Sequence, residues 1–295
     1  MILQYLDRGT MDYSSYNKNN KYYAGSEEKF GITLDGLDYI VKFQKPSETG
    51  LLYNTISEYV GCHIFSMLGM HAQNTYLGTY KERNIVLIED FVKKNQQFVP
   101  FNEVGDSSLE NDRETYQYSY TDIMQMLQEN IKLTQVAATI SQFWHMYIID
   151  ALLGNFDRHG ANWGFIKENG QYTHSPIFDN GSCLYPRIHS DEACLAILEN
   201  LEEIDKRIYV FPTSQIKLGN KKSSYFDVIC SLQYPECNIA LQDITRTIDL
   251  SQIEAFIDTI DEISETQKRF YKTIIKERFE KILWFSYVKL QGGTV

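Results

Sequence analysis

Two short stretches, GNFDRHGAN at residues 154–162 and PIFDNG at residues 176–181, carry most of the functional information in this sequence. They supply an aspartate at position 157, an asparagine five positions later and a second aspartate at position 179. Phosphoryl transfer from Mg-ATP needs three such side chains. One orients the acceptor hydroxyl, and two hold hard Mg²⁺ ions against the phosphates. The pattern therefore predicts a kinase.

The surrounding residues indicate how the two stretches come together. Apolar residues recur at helical spacing over 141–153, and Gly154 is a typical helix stop. An Asn-Gly pair at 169–170 separates two strand-like runs and predicts a hairpin, which returns Asp179 towards Asn162. Taken singly, each stretch also fits an ordinary turn, because Asp, Asn and Gly dominate turns. Their order and the intervening hairpin favour the catalytic interpretation.

A lysine and a glutamate upstream are candidates for a phosphate-binding pair. Lys42 lies within the β-prone run 39–43, and kinases present a cation to the phosphates from such a strand. Residues 54–69 predict a helix that ends at a glycine, with Glu58 on its first turn. Each residue has a structural alternative: Lys42 as a solvated strand lysine, and Glu58 as an acid favoured by the helix dipole.

Two further segments fit nucleotide binding. Gly25 and Ser26 lie in a small-residue loop before a turn at 35–36, and their N–H groups and hydroxyl can cradle phosphates. Neither the Walker pattern nor the Gly-rich loop of eukaryotic protein kinases is present, and a loop of this kind also serves structure alone. Residues 84–91 form an apolar strand ending in acids and Phe91, which fits either an adenine-binding hinge or a buried strand with a solvated turn.

In their order and approximate spacing, these segments resemble HipA-like serine/threonine kinases, which are bacterial two-lobed enzymes related in fold to protein kinases and phosphoinositide lipid kinases. The resemblance covers residues 20–190 well, and its most specific element is the Asp-x-His-x-x-Asn run with the later Asp. It implies an α+β fold. We expect a small β-rich N-lobe at residues 1–91 and a large, mostly helical C-lobe at residues 92–295.

The resemblance also implies roles for individual residues. Asp157 serves as catalytic base, Asn162 and Asp179 bind Mg²⁺, and Lys42 contacts the ATP phosphates. His159 matches a histidine of the family's catalytic loop, where a structural role through hydrogen bonds is favoured over a chemical one. The other residues expected at the nucleotide site are Gly25 and Ser26 in the loop, Glu58 beside Lys42, and Glu89 and Phe91 bordering the adenine.

Three features depart from the better-known family members. Those carry an extra amino-terminal domain, whereas Gly25 lies too early for one to fit, so we expect a kinase core alone. Their autophosphorylated serine precedes the loop glycine, but residues 22–24 read Tyr-Tyr-Ala, which argues against that route of self-inactivation and leaves Ser26 as the nearest serine. Asp179 is followed by Asn180 and Gly181, which brings the segment closer to the Asp-x-Gly of protein and lipid kinases.

The composition is that of an ordinary globular protein, with 43% hydrophobic and 23% charged residues. The net charge of −11 argues against nucleic-acid binding but leaves a basic protein substrate open. No apolar run approaches membrane-spanning length, and residues 1–8 do not resemble a signal peptide. The five cysteines are scattered and odd in number, as for free thiols in a reducing cytoplasm. We therefore expect a cytoplasmic protein without a membrane partner.

The remaining segments predict one exposed insert and several helices that pack in the core. Residues 95–121 are polar and suggest an exposed insert just past the hinge. Helical periods recur over 193–201 and 253–263, and residues 266–290 predict one long terminal helix with a wide apolar face, for which core packing is favoured over partner binding.

Two functional classes remain open. The first is an ATP- and Mg²⁺-dependent kinase that phosphorylates a serine or threonine of a protein substrate, with toxin–antitoxin pairing and a cognate antitoxin as one version. The second is a nucleotide-binding pseudokinase or regulatory module, against which the filled base and metal positions count. A lipid or small-molecule kinase is a further alternative, but the sequence lacks the strongly basic patch expected of a lipid kinase.

Overall fold

The structure is a computed structural model that describes residues 11–23, 27–104, 120–121, 124–125, 135–218 and 221–293. Its strands are β1 Met11–Asp12, β2 Lys29–Leu34, β3 Leu37–Phe43, β4 Pro46–Ser47, β5 Gly50–Leu51, β6 Thr75–Tyr80, β7 Arg83–Glu89, β8 Gln97–Pro100, β9 Gly164–Glu168, β10 Gln171–His174, β11 Thr213–Leu218 and β12 Lys221–Ser224.

The α-helices are α1 Asn54–Met67, α2 Phe101–Val104, α3 Val136–Leu153, α4 Asp191–Leu198, α5 Leu201–Asp205, α6 Tyr225–Ser231, α7 Pro235–Thr247, α8 Leu250–Asp258, α9 Glu265–Arg278 and α10 Phe285–Leu290. Two π-helical segments cover Lys206–Val210 and Phe279–Trp284. A β-rich amino-terminal region thus precedes a mostly helical one, which confirms the predicted α+β class.

The largest sheet has the strand order β1-β6-β7-β3-β2. The turn between β2 and β3 falls at Asp35 and Gly36, with φ values of 51° and 80°, as predicted from residue types that tolerate positive φ. Successive residues of β3 point to opposite faces of the sheet. Because Val41 and Phe43 join a small apolar core on one face, Lys42 points to the other.

Helix α1 packs behind that second face, against β6 and β7. The helix predicted over 54–69 is confirmed, but Glu58 is its fifth residue rather than a first-turn residue. The helix-dipole explanation for Glu58 therefore does not apply. Beyond α1, the main chain meets the segment that leads to Asp179: Gln73 N–H donates to Ile177 O at 2.9 Å, and Ile177 N–H donates to His71 O at 2.8 Å.

The hairpin predicted at the Asn-Gly pair is confirmed as β9 and β10, with Asn169 and Gly170 at φ values of 50° and 81°. β8 adds a third strand to this hairpin. The prediction of an exposed polar insert is therefore wrong for 98–102, where Phe101 is buried and stacks on Trp163 with ring centroids 4.0 Å apart, whereas Gln97 and Glu103 are exposed as predicted. Residues 105–119 of the predicted insert lie outside the described residues.

Helix α3 is buried along most of its length and forms the centre of the large helical core, together with α7 and α9. The predicted terminal helix is continuous but changes to π-helical form at Phe279, and its apolar face is buried, with Phe270 and Ile274 inaccessible to solvent. All five cysteines are free and buried. Within the described ranges, no helix is both long and apolar enough to cross a bilayer.

Candidate active site

The loop after α3 presents Asp157. Gly154 ends α3 in the left-handed conformation at φ 62°, as predicted. Asn155 Nδ2 then donates to Asp150 Oδ1 at 2.8 Å, while its Oδ1 accepts the Asp157 N–H at 3.0 Å. From the other side, Asn162 Nδ2 donates to the Asp157 carbonyl at 2.8 Å. The backbone of Asp157 is thus held on both sides, and its side chain stays 50% exposed.

A buried guanidinium joins this loop to the segment around Asp179. Arg158 forms a bidentate pair with Asp150, with Nε to Oδ2 at 2.9 Å and Nη2 to Oδ1 at 3.0 Å. Its Nη1 donates to the carbonyls of Asn162, at 3.0 Å, and of Phe178. Arg158 also donates to the side chain of Asn180. The two predicted metal-binding positions, Asn162 and Asp179, are therefore tied to one side chain.

Asp179 adopts a positive φ of 54°, and its carboxylate contacts Lys42 of β3. The next residue, Asn180, donates its N–H to Glu58 Oε1 at 2.8 Å. Gly181 then runs beside the cluster, where a Cβ atom would lie 3.3 Å from Asn54 O, 3.4 Å from Glu58 Oε2 and 3.5 Å from Lys42 Nζ. The main chain that follows Asp179 therefore comes within van der Waals distance of both charged side chains.

Lys42 is at the centre of the cluster. Its Nζ lies 2.6 Å from Glu27 Oε2, 3.1 Å from Glu58 Oε2 and 3.2 Å from Asp179 Oδ1. Glu58 is 1% exposed and Lys42 is 6% exposed, so this is a buried ion-pair cluster and not a solvated lysine. The structure therefore brings Lys42, Glu58 and Asp179 together from a strand, a helix and a loop.

The electrostatics follow from this arrangement. Burial opposes the positive charge of Lys42, but the carboxylates of Asp179, Glu58 and Glu27 outweigh burial and raise the pKa of Lys42 well above its usual value. Burial likewise opposes ionisation of Asp179, yet the Lys42 ammonium lowers the pKa of this carboxyl below its usual value. Both groups are therefore charged at neutral pH, as a cation for phosphates and a ligand for a divalent ion require.

Asp157 has a different environment. Burial raises its pKa, the neighbouring His159 opposes that rise, and the negative charge of Asp179 adds to it. A carboxylate with a raised pKa is a better proton acceptor. His159 Nε2 lies 3.9 Å from Asp157 Oδ1, and its Nδ1 accepts the Ala161 N–H at 3.2 Å. His159 thus bonds to its own loop, as a structural role would require.

The segment predicted as a hinge lies next to Asp179. Glu89 ends β7, its N–H donates to Asn74 O at 2.9 Å and its carbonyl accepts Gln73 Nε2 at 3.0 Å. The Phe91 ring packs 5.5 Å from the ring of Phe178, the residue before Asp179. Glu89 and Phe91 are therefore close to the segment that carries Asp179. The other two predicted residues, Gly25 and Ser26, lie outside the described residues.

The available donor set suits a magnesium ion that is shared with phosphates. In the described part of the chain, no group of three or more His, Cys, Asp or Glu residues forms a complete metal site. Mg²⁺ usually takes only one or two protein carboxylates, with water and phosphate oxygens completing its octahedron. Asp179 offers a charged carboxylate, and Asn162 offers an amide oxygen because its Nδ2 is committed to the Asp157 carbonyl.

Four site residues do not emerge from the sequence pattern: Glu27, Asp150, Arg158 and Asn180. Asp150 had a usable signal, since an acid inside the apolar helix 141–153 must find a partner when buried. Arg158, within the motif itself, was the nearest candidate partner. Glu27 and Asn180 gave no comparable signal, because acids and amides near turns are ordinarily solvated.

Comparison with known proteins places this geometry in a family. The model of the HipA-like C-terminal domain matches residues 22–278. The chain belongs to the HipA-like C-terminal domain family. Within this family, it is 35% identical over 283 residues to the serine/threonine-protein kinase CtkA of Helicobacter pylori, covering 93% of this chain and 86% of CtkA.

Two solved structures share the fold of this chain. The crystal structure of the H. pylori proinflammatory kinase CtkA superimposes with a TM-score of 0.89 at 33% identity, over 96% of this chain and 98% of CtkA. HipA of Shewanella oneidensis, solved with HipB and operator DNA, gives 0.63 at 17% identity, over all of this chain and 72% of HipA. The second likeness supports the two-lobed kinase-like fold alone. Together, the comparisons show a HipA-like enzyme of the serine/threonine kinase class.

Proposed function

We propose that this HipA-like kinase transfers the γ-phosphoryl group of Mg-ATP to a serine or threonine hydroxyl of a protein. The observation that carries the proposal is the position of Lys42, whose ammonium contacts Asp179 at 3.2 Å and Glu58 at 3.1 Å. A strand lysine held by a helix glutamate, beside a metal-binding aspartate, is the arrangement that kinases require for phosphoryl transfer.

Each residue has a separate task in this proposal. Asp157 orients the acceptor hydroxyl and takes its proton, which its raised pKa favours. Asn162 and Asp179 hold Mg²⁺, which neutralises the developing charge on the phosphates when bound. Lys42 binds the phosphates directly, and Glu58 fixes its ammonium. Gly25 and Ser26 are proposed to cradle the phosphates from the loop before β2.

We place the adenine against Glu89 and Phe91, at the boundary between an N-lobe at 1–91 and a C-lobe at 92–295. The support is the contact of Phe91 with Phe178, which puts an aromatic surface next to Asp179. His159 is assigned to the loop structure around the nucleotide site. A cytoplasmic location and a cognate antitoxin stay predictions. HipA of S. oneidensis, which this chain resembles in fold, is part of a toxin–antitoxin system.

A direct test combines the purified protein with labelled Mg-ATP and a lysate of its source cells. We expect labelled phosphoserine or phosphothreonine in protein, and about a hundredth of that label or less with the Asp157→Asn variant. Asp258→Asn is a matched control, because the Asp258 side chain is 51% exposed and the Asp157 side chain is 50% exposed. Binding of Mg-ATP without transfer to any protein would contradict the proposal and favour a nucleotide-binding module. Label in lipid or small molecules would favour the other kinase class.

Removal of the phosphate-binding lysine gives a second prediction. Lys42→Ala should weaken Mg-ATP binding about tenfold or more, because a hydrogen bond to a charged group contributes ~1.5–3 kcal/mol. ATP should also bind weakly to the wild type without a divalent ion. Calorimetry with and without Mg²⁺ measures both effects, and exposed Lys45→Ala is the control. Undiminished magnesium-dependent binding in Lys42→Ala would remove Lys42 from the site.

Glu27 leads to a third prediction, since its carboxylate sits 2.6 Å from the Lys42 ammonium that phosphates are proposed to contact. A bound phosphate must compete with Glu27 for that cation. Glu27→Gln should therefore tighten ATP binding by up to about tenfold, which corresponds to ~1.4 kcal/mol. Glu28→Gln is the control, because Glu28 pairs with Arg83 at the surface. Weaker binding in Glu27→Gln would mean that Glu27 assists the nucleotide instead.

A further inference from the structure

Two large apolar side chains, Val210 and Phe211, remain exposed at the end of the π-helical segment Lys206–Val210. Val210 is 63% exposed and Phe211 is 47% exposed. In the described part of the chain, they are the one pair of sequence neighbours among the strongly exposed large apolar residues. Exposed apolar side chains become candidates for a contact surface when they adjoin a functional site. We call this pair the 210–211 ledge.

The ledge adjoins both halves of the candidate active site. The Phe211 ring lies 5.9 Å from the ring of Phe156, the residue immediately before Asp157. It lies at the same distance, 5.9 Å, from the ring of Tyr185, which follows the Asp179 segment. Phe211 therefore packs against the residue that precedes the proposed base in the chain.

The backbone of the ledge is fixed. Phe211 N–H donates to Lys206 O at 2.8 Å. The Tyr185 hydroxyl lies 2.7 Å from Arg207 O and 3.1 Å from Phe211 O, so it bridges the two carbonyls. Arg278, which is fully buried, donates to Arg207 O as well. Because these hydrogen bonds hold its backbone, the exposed Phe211 ring needs little further ordering when a ligand binds.

We propose that the 210–211 ledge binds a large apolar side chain of the protein substrate, within two residues of the phosphorylated serine or threonine. The inference rests on the proposed function, in which the acceptor hydroxyl meets Asp157. An extended chain advances ~3.3 Å per residue, so its first two residues on either side of the acceptor pass within ~7 Å of Asp157. Phe156 precedes Asp157 in the chain and its ring lies 5.9 Å from that of Phe211, so these two rings offer an apolar surface to residues beside the acceptor.

The substrate peptide is the occupant that continuity with Asp157 favours. A substrate must cover the surface beside the base in every turnover, and the ring contact of Phe156 with Phe211 extends that surface to the ledge. The ledge would therefore select substrates by hydrophobic burial, whereas Asp157 selects only for a hydroxyl. A leucine or phenylalanine next to the acceptor gains binding energy there, and a glycine gains none.

The test uses the full chain and synthetic peptides that contain one serine in an alanine and glycine background. Leucine is placed in turn at each position from two before to two after the serine. We expect at least one position to raise kcat/KM about tenfold or more, the usual effect of apolar side-chain recognition in a pocket. In Phe211→Ser this leucine-to-glycine ratio should fall towards one, and Phe211→Leu should restore most of it.

Trp284→Ser is the matched control, since Trp284 is an exposed aromatic on the other π-helical segment, and its ratio should equal that of the wild type. Thermal unfolding verifies that each variant folds. A ratio that Phe211→Ser leaves unchanged, or a wild type that ignores leucine at all four positions while it phosphorylates protein, overturns the ledge and leaves the kinase proposal intact. A dimer that Phe211→Ser converts to monomer assigns the ledge to a second copy and also overturns it. Absence of any phosphoryl transfer rejects both proposals.

Discussion

Asp157→Asn should lose phosphoryl transfer by about 10²-fold or more while it still binds Mg-ATP. The expected loss is the usual contribution of a positioned general base. Binding should persist, because Asp157 is proposed to contact the acceptor hydroxyl and not the nucleotide. The substitution is nearly isosteric, and the Asp157 side chain is half exposed, so the fold should tolerate it. Labelled transfer and calorimetric ATP binding measure the two quantities on the same preparation.

Asp179→Asn should behave differently from Asp157→Asn. It should lose transfer and also weaken the magnesium dependence of ATP binding, because a neutral amide is a poor ligand for a hard cation. It also removes the carboxylate 3.2 Å from Lys42 Nζ. Identical behaviour of the two variants would contradict the separation of base and metal ligand. Retained transfer in Asp157→Asn would return Asp157 to the status of a turn residue.

Local features of the fold were predictable where one residue type decides the backbone. The left-handed stop at Gly154 and the turns at 35–36 and 169–170 all need a positive φ that Gly, Asn and Asp adopt at little cost. The lysine strand and the helix of Glu58 followed from hydrophobic periodicity. The approach of Lys42 to Asp179 is expected from the needs of phosphoryl transfer and not from these local elements, and for Glu58 the helix dipole is an equally good explanation from sequence.

Other features depend on packing across the chain, which periodicity does not encode. The segment 97–104 looked like a solvated insert because polar residues surround it, yet Phe98 and Phe101 anchor it to Phe178 and Trp163. Glu27 reaches Lys42 only because β2 pairs with β3 in a register that the sequence leaves open. Long-range aromatic contacts and buried charge pairs therefore do not follow from the sequence pattern and are seen only in the structure.

The second large effect concerns the buried pair of Arg158 and Asp150. Arg158→Met should lower the free energy of unfolding by ~3–5 kcal/mol, because it leaves a carboxylate buried without its cation. It also removes the donors to the carbonyls of Asn162 and Phe178, so the segments of both proposed metal ligands lose their common anchor. Phosphoryl transfer should therefore fall together with stability. Urea unfolding measures the first effect, and labelled transfer below the unfolding transition measures the second.

A double variant separates an unpaired charge from a general loss of packing. Asp150→Asn with Arg158→Met removes both charges and should be less destabilised than Arg158→Met alone, since the penalty arises mainly from the orphaned carboxylate.

Arg83→Met is the control, because Arg83 forms a similar bidentate pair with Glu28 at 2.8 Å and 2.7 Å but at the surface. Its cost should be at most about 1 kcal/mol. Equal losses for Arg158→Met and Arg83→Met would show that burial does not strengthen this pair. A double variant as unstable as the sum of its parts would show that the orphaned carboxylate is not the main source of the loss.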